Sequence, residues 1–286
     1  MDVAFRLVDA FTEVPFQGNR LCVVPETPPG LSAEDMHTLA LEMNFSETTF
    51  VTESGPGGYA MRIFTPDAEL PFAGHPTIGT AFTLAAEGRT SPSTVQTTSI
   101  GETPVEVDLD RGFAWMTQRP PRFGPAFRDR ELVAEAAGLA PDEVHPDLPM
   151  QVISTGLGPL LVPVRDEAAL RRAERIESAC RRAMEASGGE CLYYFAIRGD
   201  GDVLARMFDA SLGVDEDPAT GSAAGPLGVY LAKRGLAGMP GTAVVAQGEM
   251  VGRPSFLHVD VRPSGDSWTV RVGGGVRIVG EGVFRL

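Results

Sequence analysis

One stretch of this chain occurs twice. ELPFAGHPTIGTAFTLAAEG, from Glu69, aligns without gaps on EDPATGSAAGPLGVYLAKRG, from Glu216, with Glu69/Glu216, Pro71/Pro218, Gly74/Gly221, Leu84/Leu231, Ala85/Ala232 and Gly88/Gly235 identical. The offset of 147 residues is close to half of the 286-residue chain, so a whole domain is duplicated, unlike the periods of about 20 to 50 residues that mark solenoids. Upstream, RIFT from Arg62 matches RMFD from Arg206 at an offset of 144, which puts three extra residues in the connecting loop of the second copy. The order strand, loop, glycine turn, helix is therefore expected twice, in two domains of ordinary size. The Pro-rich stretch QRPPRFGP, Gln118 to Pro125, is the expected junction.

Both repeated helices, PTIGTAFTLAAEG and SAAGPLGVYLAKRG as far as Lys233, carry apolar or small residues on every side. A helix that is apolar all round must be buried all round. Around it the sequence predicts strands: VAFRLVD with Val3, Phe5 and Leu7 on one face, SETTFV beginning after Glu47, YAMRIF with Tyr59, Met61 and Ile63 alternating, and VEVDL with Val105, Val107 and Leu109 alternating. Ser32, with Asp35 three residues on and a Leu31/Met36 staple, caps a helix that ends near Asn44. With 33 Gly and 23 Pro, many turns and short strands are expected. The predicted class is α+β: two pseudo-symmetric domains, each a rolled, mostly antiparallel sheet around one central buried helix. Gly79, Gly225 and Gly228 would let the sheet approach that helix closely. Pro226, inside the second helix pattern, is a position where the helix can kink.

A net charge of −14 argues against nucleic-acid or anionic-membrane partners, which need a basic face. No run approaches the roughly 20 apolar residues of a membrane span, the start MDVAFRLVDA has no basic end leading into an apolar core, and a cytoplasmic location is expected. Cys22, Cys180 and Cys191 form no CxxC pair, which favours ordinary buried thiols over a disulfide framework or a thiolate zinc site. No metal-ligand spacing and no phosphate-binding glycine motif at a strand-to-helix junction occurs, so neither a metal nor a nucleotide is expected as cofactor.

Each buried helix begins at a glycine turn, Gly74-His75 or Gly221-Ser222, where N–H groups lack intrahelical partners and the helix dipole is positive. Such an end attracts an anion. In a single copy the glycines would simply admit a tight turn; two matched copies favour a shared cleft that takes a small carboxylate. Function is then sought where the copies differ. His75 is matched by Ser222, Asp209 by Thr65, and Glu47, less securely, by Glu190. Glu47, flanked by Phe45, Thr48 and Phe50, is a candidate base for moving a proton at carbon, although a lone Glu beside a strand is more often a surface residue or a cap. His75 in the first helical turn should face the cleft. Asp209 either orients His75 or binds a substrate ammonium group, or else caps its loop. The acidic set Asp202, Asp209, Asp215, Glu216 and Asp217, against Arg206 alone, suggests a zwitterionic ligand, unless Asp215 and Asp217 are solvated or cap the turn.

At these residues the chain resembles the PhzF family, phenazine-biosynthesis-like isomerases on the diaminopimelate epimerase fold. DAFTEVPFQGNRLCVV, MNFSETTFV, RIFTPDAELPFAGHPTIGTAF and RMFDASLGVDEDPATGSAAGPLGVYL carry the resemblance across nearly the full chain. It implies that the last strand, VRIVGEGVFRL, crosses back to the first domain, giving domain limits of 1–118 plus 276–286 and 119–275. It also implies a cofactor-independent active site in the cleft between the domains and a homodimer. The family's catalytic glutamate, histidine and aspartate correspond to Glu47 in NFSET, His75 in AGHP and Asp209 in MFDAS, with substrate contacts from Ser46, Gly74, Gly221 and Ser222. The implied reaction moves a proton between carbons of a small cyclic or unsaturated amino-carboxylate, as on trans-2,3-dihydro-3-hydroxyanthranilate.

Two other readings compete. Amino-acid epimerases and racemases of the same fold place a cysteine at the head of each buried helix, where this chain has Ala73 and Thr220. A binding protein would hold a small carboxylate in the same cleft without turnover, and solvent deuterium entering the ligand would exclude it. A hotdog-fold thioesterase finds no support in the duplicated turns.

Overall fold

The computed structural model describes residues 1–198, 201–209, 216–236 and 241–286. Asp215 lies outside them. Contacts divide the chain into two units, Met1–Thr117 with Gly273–Leu286, and Gln118–Val272.

The first unit runs β1 (Asp2–Ala10), β2 (Asn19–Val24), α1 (Ala33–Met43), β3 (Glu47–Gly55), β4 (Gly58–Phe64), β5 (Glu69–Leu70), α2 (Gly74–Ala86), β6 (Ser93–Thr98), β7 (Gly101–Asp108) and β8 (Phe113–Gln118). The second runs β9 (Arg122–Phe127), α3 (Arg130–Ala136), β10 (Met150–Ser154), β11 (Pro159–Pro163), α4 (Glu167–Arg172), α5 (Glu177–Ser187), β12 (Cys191–Ile197), β13 (Val203–Phe208), α6 (Gly221–Lys233), β14 (Thr242–Gln247), β15 (Ser255–Ser264) and β16 (Ser267–Arg285), whose last residues return to the first unit and pair antiparallel with β1.

Strand order in the first unit is β1-β2-β3-β4-β6-β7-β8, and in the second β10-β11-β12-β13-β14-β15-β16 with β9 outside β10. The directions repeat. β2 is parallel to β3, β3 antiparallel to β4, and β4 parallel to β6; likewise β11 is parallel to β12, β12 antiparallel to β13, and β13 parallel to β14. The loop after β4 folds back so that Ile63 pairs with Leu70, and after β13 Met207 bridges Asp217, the equivalent position once the three-residue insertion is counted.

The residues shared by the two copies build this scaffold. Arg62 donates from Nε and Nη2 to Glu69 at 2.7 Å each, and its guanidinium lies 5.1 Å from the Phe64 ring. Arg206 donates from the same two nitrogens to Glu216 at 2.9 and 2.5 Å and lies 4.9 Å from the Phe208 ring. The second copy is sealed further, because Arg206 also donates to the carbonyls of Leu170 and Ala173 at the C-terminal end of α4.

In α2 every residue from Gly74 to Ala85 is buried, and in α6 every residue from Gly221 to Leu231. Close approach explains the glycines. A Cβ on Gly228 would stand 2.2 Å from Val259 Cγ1, and one on Gly225 only 1.8 Å from Gln118 Oε1. Pro226 does not interrupt α6, which continues to Lys233. Two strand expectations shift. Opposite β1 a register shift leaves Val279 of β16 unpaired between Leu7 and Val8, and beyond it Val8, Asp9 and Ala10 are all buried where Leu7 is only half-buried. Leu109 falls just past the end of β7 and is exposed.

Burial separates the two matched ion pairs: their side chains are 34% and 43% exposed for Arg62 and Glu69, but 8% and 5% for Arg206 and Glu216. Arg62→Met is expected to cost about 1 kcal/mol or less, and Arg206→Met, which strands a buried carboxylate, about 3 to 5 kcal/mol. Urea unfolding of the two variants checks this, and equal losses would contradict it.

Candidate active site

The β1–β2 loop is pinned by the Asp9 carboxylate, which accepts the Phe16 N–H at 2.6 Å, while Phe11 and Phe16 take left-handed backbone at φ 63° and 68°. That loop delivers Asn19 as the first residue of β2. On the neighbouring parallel strand, α1 ends on Asn44 at φ 51°, and within three residues the chain begins β3 at Glu47, which pairs with Leu21. Asn19 and Glu47 therefore start adjacent strands. His75 is the second residue of α2, which packs on β1, β2 and β3.

These elements gather four side chains in the first unit. Ser46 Oγ donates to Asn19 Oδ1 at 3.0 Å, Asn19 Nδ2 lies 3.1 Å from His75 Nδ1, and His75 Nε2 lies 3.0 Å from Glu47 Oε2. Asn19, Glu47 and His75 are buried and Ser46 is half-buried. Burial pulls the imidazole down from 6.5 to about 3, because the cation would lose its hydration, against the opposing hydrogen bond with the Arg20 main chain. His75 is thus a neutral ring at ordinary pH, held against a buried carboxyl group. Such a carboxyl can act as a general base if a carbon acid is brought to it.

Neither buried helix is capped by the side chain of its N-cap residue, Ala73 for α2 and Thr220 for α6. The first turns, Gly74 and His75 in one unit and Gly221 and Ser222 in the other, thus begin without a side-chain cap from the preceding residue. Both glycines have ordinary negative φ, so the sharp glycine turn read from the sequence is a normal helix start.

In the second unit, buried Asp209 directly follows β13, and its main-chain carbonyl accepts Arg175 Nη1 at 2.7 Å. The turn before α6 is braced from within. Gln247 Nε2 donates to the Asp217 carbonyl at 2.7 Å and its Oε1 accepts the Tyr193 hydroxyl at 2.8 Å. Thr220 Oγ1 donates to Asp217 Oδ2 at 2.6 Å, and Gln118 Nε2 donates to the Gly221 carbonyl at 2.8 Å.

This bracing corrects the expected acidic rim. Glu216 is neutralised by Arg206, Asp217 is consumed by Thr220, and Asp202 accepts the Val244 N–H at 2.8 Å. Those carboxylates serve the loop. Glu190 does precede β12 as Glu47 begins β3, but it is exposed and its carboxylate accepts the Gly158 N–H at 2.6 Å. The sequence reading missed Asn19, Gln118 and Gln247 as site-building residues. For Asn19 a signal existed: an amide opening an apolar strand, NRLCVV, must find partners when buried. For the two glutamines the contacts span 103 and 30 residues, and nothing local announces them.

Among the described residues, no group of three or more His, Cys, Asp or Glu is arranged to hold a metal ion, and no helix is long and apolar enough to cross a membrane.

A family model for phenazine biosynthesis-like proteins matches residues 8–283. The chain is 36% identical to an uncharacterized isomerase of Deinococcus radiodurans, over 97% of this chain and 93% of that one. It is 35% identical to the trans-2,3-dihydro-3-hydroxyanthranilate isomerase of Pseudomonas chlororaphis, over 98% of each. A solved PhzF-family phenazine biosynthesis protein of Bacillus anthracis superposes with a TM-score of 0.89 at 26% identity, covering both chains completely.

The depressed His75 value has a consequence for stability. Between 6.5 and about 3 the unfolded chain takes up a proton that the folded chain refuses. This contribution is complete above the unfolded value and is lost as pH falls, at a limit of about 1.4 kcal/mol per pH unit. Urea unfolding from about pH 7 to about pH 4.5 should show a shallower pH dependence in His75→Gln than in the natural chain; identical slopes would contradict a buried neutral imidazole.

Proposed function

The chain belongs to the PhzC-PhzF family of phenazine biosynthesis-like proteins and is an isomerase, and from that premise we propose that Glu47 is its proton carrier, acting on a small cyclic or unsaturated amino-carboxylate. The observation that carries this reading is the buried Glu47–His75 contact of 3.0 Å beside the uncapped start of α2.

In the proposed reaction Glu47 takes a proton from one substrate carbon as the C–H electron pair moves into the adjoining unsaturated system, and returns it to another carbon. Nothing is oxidised or reduced and no co-reactant is consumed, and the proposed reaction proceeds without a cofactor, as the family resemblance implies. The substrate carboxylate is held by first-turn N–H groups of Gly74, Gly221 and Ser222, and Ser46 adds a hydroxyl contact. His75 and Asp209 orient or polarise the substrate. The trans-2,3-dihydro-3-hydroxyanthranilate named for the Pseudomonas chlororaphis relative is the first compound to test. A cytoplasmic location is proposed, which suits three free buried thiols, and a homodimer, on the family resemblance.

Two-thiol epimerisation is disfavoured. Ala73 and Thr220 stand at the helix heads, while Cys22, Cys180 and Cys191 sit in β2, α5 and β12, where burial raises Cys22 to about 12, Cys180 to about 11 and Cys191 well above its usual 9.0.

In D₂O, Glu47→Gln should lower deuterium incorporation into trans-2,3-dihydro-3-hydroxyanthranilate by about 10²-fold or more with ligand binding retained; undiminished incorporation refutes the role. Iodoacetamide treatment of the folded protein should leave turnover unchanged, and inactivation that tracks labelling of one cysteine would restore a thiol mechanism.

A further inference from the structure

Buried Asp209 is held by a residue that takes no part in the proposed reaction. Arg175, half-buried, lies in the connector from Ala173 to Ile176 between α4 and α5, and its Nη1 donates to the Asp209 main-chain carbonyl at 2.7 Å. The connector is itself fixed. The Glu174 and Ile176 N–H groups donate to the carbonyls of Ala137 and Ala136 at the end of α3, at 2.9 and 3.0 Å, and Arg206 of β13 donates to the Ala173 carbonyl. The clamp is therefore reciprocal: β13 sends Arg206 into the connector, and the connector returns Arg175 to the residue that follows β13. The thiol of Cys180 on α5 reports the same proximity, since burial raises it to about 11 while Arg175 draws it down and Asp209 pushes it up.

The first copy is built differently. A single helix, α1, joins the parallel strands β2 and β3, whereas α4, the connector and α5 join the parallel strands β11 and β12. At the position of Asp209 the first copy has Thr65, which closes its own turn. Its N–H and Oγ1 donate to the Ala68 carbonyl at 2.8 and 3.1 Å, and Oγ1 accepts the Asp67 and Ala68 N–H groups at 3.2 and 2.9 Å. The aspartate and the arginine that holds it are thus features of the same copy. We propose that Arg175 is a positioning residue for Asp209: by fixing the main chain at the end of β13 it sets the direction of the Cα–Cβ bond, and with it the place of the carboxyl group beside the substrate. An aspartate side chain has few staggered positions once its main chain is fixed. The inference deepens the isomerase reading and rests on it for the role of Asp209. Arg175 acts through that residue, without touching substrate.

A double-substitution cycle separates this role from a contribution to stability alone. For deuterium exchange into trans-2,3-dihydro-3-hydroxyanthranilate, Arg175→Met should lower kcat by about tenfold or more while KM moves less than about threefold. In an Asp209→Asn background the same substitution should change kcat by less than about twofold. Equal losses in the two backgrounds, or no loss in the natural one, overturn the proposal. A second arm needs no substrate. In chains labelled with ¹³C at aspartate, the Asp209 carbonyl and carboxyl signals, assigned by their absence in Asp209→Asn, should both move in Arg175→Met; a carboxyl signal that stays in place overturns the proposal. Where Arg175→Met does not fold, Arg175→Gln, too short to reach the carbonyl, replaces it in both arms. If the natural chain exchanges no deuterium, the isomerase reading fails, and the spectra still decide whether Arg175 places the Asp209 carboxyl group.

Discussion

Two helices with no solvent-facing side dictate most of this structure. In α2 and α6 nearly every residue is buried, so each unit must wrap its sheet around a helix. Wrapping so tightly requires places where the helix has no side chain, which is why a Cβ at Gly225 or Gly228 would overlap its neighbours. The same burial fixes the chemistry of the helix starts. Their N–H groups cannot turn to bulk water, and neither Ala73 nor Thr220 offers a capping side chain. An anionic ligand meets that need. The core of the fold and the proposed carboxylate site are in this sense one feature.

Duplication then separates what supports from what reacts. The Arg–Glu–Phe arrangement recurs atom for atom, Arg62, Glu69 and Phe64 in one copy and Arg206, Glu216 and Phe208 in the other. It ties a strand to the loop that leads into the buried helix. Where the copies diverge, one acquires a buried imidazole against a buried carboxyl group, Glu47 and His75. The other has Ser222 in place of the imidazole, and its Glu190 is exposed and spent on the Gly158 N–H.

Local signals made the scaffold readable. The repeat, the two all-apolar helices and the capping box of α1, Ser32 with Asp35, are all written in contiguous residues. His75 and Asp209 stand out because they differ between the copies, and Glu47 through its apolar flanks and the family motif NFSET. What escaped was decided by partners far away in the chain. The acidic cluster around Glu216 looked like a ligand surface because the fate of each carboxylate depends on Arg206, Thr220 and the Val244 N–H. The burial of Val8, Asp9 and Ala10 on both faces of β1 comes with pairing to β16, some 270 residues further on, and no alternation in β1 itself announces it. Asn19 lies inside the motif DAFTEVPFQGNRLCVV, but what distinguishes it is that it faces Ser46 and His75 at once.

The most direct test of this account is a crystal structure with an unreactive analogue of a cyclic amino-carboxylate bound. The account predicts the analogue's carboxylate on the first-turn N–H groups of α2 and α6, with the carbon that corresponds to the reacting centre within about 3.5 Å of a Glu47 carboxyl oxygen. A ligand bound away from both helix starts, or with its reacting carbon turned from Glu47, would contradict it.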